Sequence, residues 1–214
     1  MPEQGLGPDE LATQIVSALE GRIGPHRTLV ALAGPPGVGK STVAEAVLTA
    51  LVGQGISAAL VPMDGYHLDN AILRERDLLH RKGAPETFDL AGFTTLIERL
   101  TRDDEVVYPV FDRTLDCAIA GRGRVAPEHQ VIVVEGNYLL LEEPGWRALA
   151  QHWDLSVYLS APLPTLSARL AQRWLDHGLP PADAAARAEA NDLPNARRVA
   201  GARLPADLVL GAAT

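Results

Sequence analysis

TLVALAGPPGVGKSTVAEAVLTAL, residues 28–51, decides the fold. Its first six residues, Thr28 to Ala33, form a short continuous apolar run, the pattern of a strand buried on both faces. Gly-Pro-Pro-Gly-Val-Gly-Lys-Ser follows at 34–41, a complete Walker A phosphate loop. Residues 42–51 then continue in good helix formers. A strand, a glycine-rich turn and a helix N-terminus aim several backbone N–H groups at one point, where the helix dipole also favours negative charge. Gly34, Gly37 and Gly39 give the loop backbone freedom and close approach, and Pro35, Pro36 and Val38 complete it. The pattern assigns Lys40 to the β- and γ-phosphates, Ser41 to Mg²⁺, and Thr42 to the end of the nucleotide-binding stretch.

Outward from this stretch, the chain has strands alternating with helices. Residues 56–63 read as a second buried strand ending in Asp64-Gly65, residues 131–134 as a third ending in Glu135-Gly136, residues 154–159 as a fourth, and residues 207–210 as a last short one. Asp9 is a candidate N-cap for a first helix with Leu11, Ile15, Leu19 and Ile23 on one stripe. Phe93, Leu96, Ile97 and Leu100 mark an amphipathic helix, and Pro162 opens another with Leu163, Leu166 and Leu170 inward, closing at Gly178. Residues 182–190 form a short alanine-rich helix. The arms at 105–110 and 122–126 suit an outlying β-ribbon around Asp112, Arg113 and a Gly121–Gly123 turn.

The expected fold is α/β: a mostly parallel five-stranded sheet with helices on both faces, a small lid and the ribbon. It forms one domain over residues 1–214, with a substrate-facing excursion at about 64–127 and a lid at about 169–198. Ligands in such sheets bind beyond the carboxyl ends of the strands, so the phosphate loop, Asp64 and Glu135 should converge.

Bulk composition narrows the partners. Apolar content of 47% is ordinary for a globular chain, and a net charge of −8 excludes a general nucleic-acid binder. Cys117 is the only cysteine, so no intrachain disulfide can form. Without an apolar run of spanning length or a signal layout near residue 1, the expectation is a cytoplasmic protein with no membrane insertion. The ribbon offers an edge that leaves a homodimer open.

Phosphoryl transfer needs positioned phosphates, a metal, an in-line hydroxyl and cationic cover. Glu135 is placed as a Walker B acid near Mg²⁺. Asp64 is a base for an acceptor hydroxyl, a second metal contact, or a turn former before Gly65. Tyr66 and His67 follow it and are candidates for acceptor contact. Asp89 suits either substrate contact or the N-cap of the Phe93 helix. Asp112-Arg113 is either a clamp on a polar substrate or a surface ion pair. Arg169 and Arg173 lie four apart on one helix face, opposite the leucine stripe, and read as lid arginines that swing over the phosphates.

These residues resemble the uridine kinase, phosphoribulokinase and bacterial pantothenate kinase superfamily of P-loop kinases. The resembling stretches are GPPGVGKST at 34–42, MDGYHLDN at 63–70, PETFD at 85–89, YPVFDR at 108–113, VVEGNY at 133–138 and the arginine-bearing helix. Their detailed forms look closest to bacterial nucleoside/nucleotide kinase family proteins labelled as fructose transport system kinases. The resemblance implies ATP as donor, Mg²⁺ near Glu135, Asp64 as base or metal-linked carboxylate, and Arg169 and Arg173 in the lid; Tyr66, His67, Asp89, Arg113 and Asn137 are the candidate contacts to a small-molecule hydroxyl acceptor. The segment after Asp112 reads Arg113-Thr-Leu-Asp116, lacking the histidine and arginine that uridine kinases place near the base. Uridine is therefore not the expected acceptor, and the leading expectation is a kinase acting on a sugar or sugar-like metabolite. A nucleoside or pantothenate-type kinase is the alternative, and a non-catalytic ATP-binding regulator linked to a transporter is the alternative of another class.

Overall fold

The computed structural model describes residues 5–213 other than His177. Helix α1 (Pro8–Ala18) precedes strand β1 (Thr28–Ala33), helix α2 (Lys40–Gly53) and strand β2 (Ala58–Pro62). Helices α3 (Asn70–Glu75) and α4 (Leu90–Arg102) lead to strands β3 (Val106–Asp112), β4 (Cys117–Val125) and β5 (Val131–Gly136). Strand β6 (Leu155–Ser160), helices α5 (Leu163–Asp176), α6 (Pro181–Arg187) and α7 (Leu193–Gly201), and strand β7 (Leu208–Gly211) complete the order.

Five strands form one parallel sheet in the order β2-β5-β1-β6-β7. Both β1 and β5 are buried along their whole length, as continuous apolar runs require. Alternate residues feed two cores. Val30 and Leu32 pack with α1, α2, α5 and α7, whereas Leu29, Ala31 and Ala33 pack with α4 and the base of the ribbon. All four apolar residues of the α4 stripe are buried.

Register explains why distant residues meet. Glu135 is level with Leu32 of β1 and with Pro62 of β2, on its two neighbours. The phosphate loop begins one residue past Ala33, and Asp64 lies two past Pro62. With adjacent strands about 4.8 Å apart, three sequence segments open on one edge of the sheet.

Several local expectations are corrected. Asp9 lies inside α1; Gly7 is the N-cap, with the Glu10 carboxylate accepting its N–H at 2.9 Å, because Pro8 sets the first helical φ. Strand β2 stops at Pro62, and Asp64 sits in a 3₁₀ turn, Met63–Tyr66. The excursion is more ordered than its polarity implies, holding α3 and two further 3₁₀ turns, Leu79–Arg81 and Pro85–Thr87. Leu163 is partly exposed while Leu166 and Leu170 are buried. The ribbon turns at residues 113–116, and Gly121 and Gly123 lie within β4. Gly123 is there because a Cβ would strike the Tyr108 ring at 2.2 Å. The Tyr108 hydroxyl donates to Leu60 O at 2.8 Å, and a Cβ on Gly65 would fall 2.0 Å from Pro109 O. The ribbon is thus locked against β2 and the Asp64 turn.

Candidate active site

The phosphate loop adopts the conformation its glycines permit. Gly37 and Gly39 have φ of 80° and 97°, and Gly39 is the N-cap of α2. A Cβ on Gly37 would lie 3.0 Å from Leu170 Cγ, so the loop is seated directly on α5. The buried Lys40 ammonium donates to Gly34 O and Pro35 O, both at 3.0 Å, and to Asn137 Oδ1 at 2.6 Å. Burial lowers its pKa to about 8, partly offset by the charges of Glu135 and Asp64.

Ser41 Oγ donates to the Glu135 carboxylate, at 3.2 and 3.3 Å from its two oxygens. Burial raises the pKa of Glu135, and Asp64 repulsion adds to this while Lys40 opposes it. Among the described residues no group of three or more His, Cys, Asp or Glu gathers as a metal cage. One hydroxyl and one carboxylate nevertheless suit Mg²⁺, which keeps waters and takes phosphate oxygens as its remaining ligands. This donor set does not suit a zinc site.

Asp64 faces the same cavity, of about 1510 Å³, whose wall also includes Lys40, Ser41, Glu135, Asn137 and Arg173. Arg113 donates to Asp64 Oδ2 at 3.2 Å, and the Asp112 carboxylate pairs instead with Arg122 at 2.6 Å. Asp112 and Arg113 are therefore not partners of one another. His67 Nδ1 lies 2.8 Å from Asp64 O. A carbonyl only accepts, so Nδ1 carries the proton and Nε2 is the free acceptor. Burial lowers the pKa of this imidazole.

The lid arginines part company. Arg169 donates to Gly37 O, Val38 O and Ala213 O, joining the phosphate loop to the segment that follows strand β7. Three of its five N–H groups go to these carbonyls, so Arg169 braces the loop while it also lines the large cavity. Arg173 lies 3.7 Å from Asp192, whose other oxygen accepts from Trp174 Nε1 at 2.6 Å. Arg173 and Arg187 both lie against the Trp174 ring. Asp192 ends a π-helical turn, Ala188–Asp192, that brings Asn191 and Asp192 inward.

Two expected acceptor contacts are not on the cavity wall. The Tyr66 ring packs edge-on against Phe93 at 5.3 Å, because residue 66 ends the 3₁₀ turn facing α4. Asp89 caps α4 by accepting from Gly92 N at 2.9 Å. His67, Arg113 and Asn137 do line the cavity. Sequence reasoning did not single out Asn70 or Asp116, which meet Lys82 there, Asn70 from the first turn of α3 and the other two from loops. It also missed a second cavity of about 290 Å³, sharing Gly37, Gly39, Thr42 and Arg169 with the first and closed by Leu6, Pro8 and Ala212. A parallel bridge between Leu6 and Ala212 brings two of its walls together, a pairing too short to show a period.

A sequence profile described as an AAA domain matches residues 30–178. The Escherichia coli protein YggC is 35% identical over 176 residues, 81% of this chain and 73% of that one. A Schizosaccharomyces pombe protein named "putative uridine kinase C227.14" is 32% identical over 213 residues, 94% of this chain and 89% of that one. Among solved structures, a "putative fructose transport system kinase" from Silicibacter sp. TM1040 superposes with a TM-score of 0.89 at 53% identity, covering 96% of this chain and 99% of that one. No helix among the described residues is long and apolar enough to cross a membrane.

Proposed function

We propose that this chain, which belongs to the uridine kinase, phosphoribulokinase and bacterial pantothenate kinase superfamily of P-loop kinases, moves the γ-phosphoryl group of ATP onto a hydroxyl of a small sugar-like metabolite. Kinases of this superfamily use ATP with Mg²⁺. The observation that carries the reading is the convergence of Lys40, Glu135 and Asp64 on one cavity from three adjacent parallel strands.

In the step, the acceptor oxygen forms a bond to the γ-phosphorus as the bond to the β,γ-bridging oxygen breaks. The acceptor proton passes to Asp64, and ADP leaves. Lys40 exchanges Asn137 Oδ1 for phosphate oxygens, while the first-turn N–H groups of α2 cradle the β-phosphate. Ser41 and Glu135 would hold Mg²⁺, which would supply neutralisation of the phosphate charge. Arg113 orients the Asp64 carboxylate, and Arg173 leaves Asp192 to cover the group in flight. Arg169 keeps the loop in shape. The second cavity, continuous with Thr42, has room for the nucleobase of the donor.

ADP release measured across neutral sugars, alditols, nucleosides and pantothenate tests this reading. Turnover stimulated by a hydroxyl compound is the expected result; ATP binding with no acceptor-dependent turnover supports the transporter-linked regulator instead. The name of the S. pombe relative favours a nucleoside as the second reading, and selective thermal stabilisation by uridine or cytidine would promote it.

A further inference from the structure

Asn70, Lys82 and Asp116 form a closed polar ring at the end of the large cavity that Asp64 also lines. Lys82 Nζ donates to Asn70 Oδ1 at 2.8 Å, Asp116 Oδ1 at 2.8 Å and Asp116 O at 2.9 Å. Asn70 Nδ2 closes the ring by donating to Asp116 Oδ2 at 2.7 Å. All three ammonium protons are therefore spent, on a side chain only 12% exposed. Asp116 holds its place at φ 53°, a left-handed conformation that an aspartate tolerates better than most residues. Each of its two oxygens takes one bond within the ring and keeps a further lone pair for a hydroxyl.

Charge pairing at this end has a consequence for the acceptor. Lys82 is neutralised by Asp116, and Arg113 by Asp64. Arg74 also lines the cavity, but it is an exposed side chain. A phosphate or carboxylate brought here would face the Asp116 carboxylate, with the Lys82 ammonium already bonded within the ring, at an energetic cost. Hydroxyl groups meet matching acceptors instead. The rings at this end are also occupied: His67 packs on Phe88 at 4.1 Å and on Phe111 at 4.8 Å, and Lys82 Nζ lies over Phe111 at 5.0 Å.

We propose that the Asn70–Lys82–Asp116 ring selects an uncharged polyhydroxylated acceptor and rejects its phosphorylated or carboxylated counterparts. The inference rests on the kinase reading above for its geometry, yet it concerns binding, so the two can fail separately. The test is saturation-transfer NMR titration of the full chain, held with Mg²⁺ and a non-hydrolysable ATP analogue. The probes are neutral pentoses, hexoses and alditols, their monophosphates, and the matching aldonic acids. The ring predicts that the best neutral probe binds at least tenfold more tightly than its own phosphate and aldonate. Asp116→Asn, which frees the Lys82 charge, should narrow that ratio at least fivefold, an effect that mere loosening of the turn would not produce.

A phosphate or carboxylate that binds the wild-type chain as tightly as the neutral compound overturns the inference, as does the absence of any neutral binder. A folded Asp116→Asn chain with an unmoved ratio overturns it too; if that variant fails to fold, Asn70→Asp, which adds charge to the ring, must widen the ratio. Neutral binding with the stated preference, but no ADP release on exchanging the analogue for ATP, sinks the kinase reading and leaves the selectivity standing.

Discussion

Lys40 makes ATP binding a proton-coupled event, and the size of the coupling follows from its surroundings. Its ammonium is buried with three neutral acceptors, and its pKa falls from 10.5 to about 8. A triphosphate brought against it restores the charged form, returning the pKa to at least its ordinary value near 10.5. The bound-state pKa is then the higher one, so the contribution to affinity is complete below pH 8 and is lost as the pH rises from there toward 10.5. Between pH 7 and pH 9 the apparent Kd for ATP should weaken by about tenfold, or ~1.4 kcal/mol, since about nine-tenths of the free ammonium is deprotonated at the upper limit. Proton uptake on binding should rise from about 0.1 at pH 7 to about 0.9 at pH 9. The γ-phosphate, with a second pKa near 6, is already deprotonated across this range and adds little. Titration calorimetry in two buffers of unlike ionisation enthalpy reads both quantities, and Lys40→Met should remove the uptake. An affinity that is flat to pH 9, with no proton taken up, would refute the burial argument.

Asp64→Asn should lower acceptor-dependent kcat by about 100-fold or more while the Kd for ATP changes little, as steady-state kinetics and calorimetry together can show. Gly37→Ala puts a Cβ into a φ of 80° and against Leu170. It should cost about 1–3 kcal/mol in the loop, seen as weaker ATP binding; full affinity would contradict the packing described. Arg27 donates to the carbonyls of Leu100, Asp103, Asp104 and Ala126, tying the end of α4 to the start of β1. Arg27→Met should lower stability by about 2–4 kcal/mol, measured by chemical denaturation, with the ATP site intact.

The scaffold was legible because its signals are local. Fully apolar runs ending in Asp64-Gly65 and Glu135-Gly136, and the loop ending in Lys40-Ser41, each announce a strand end, and parallel topology does the rest. Boundaries slipped where a single residue overrides a pattern: Pro8 displaced Asp9 from the cap, and Gly65, pinned beneath Pro109, turned the end of β2 into a 3₁₀ turn. The acceptor end was not legible. Asn70 opens the short helix α3 while Lys82 and Asp116 stand in loops without periodicity, and the meeting of the three depends on how the ribbon folds back over the excursion. Arg169 and Arg173 share a helix face, but their different partners, carbonyls for one and Asp192 for the other, come from segments some distance away in sequence.

The most direct test of the central claim is phosphorus-31 NMR of the wild-type chain with Mg²⁺, ATP and a neutral sugar or alditol that stimulates ADP release. The account predicts a new phosphate monoester resonance growing in step with ADP, and neither signal with Asp64→Asn. ADP accompanied only by inorganic phosphate would mean that the cavity activates water rather than an acceptor hydroxyl, and would contradict the assignment.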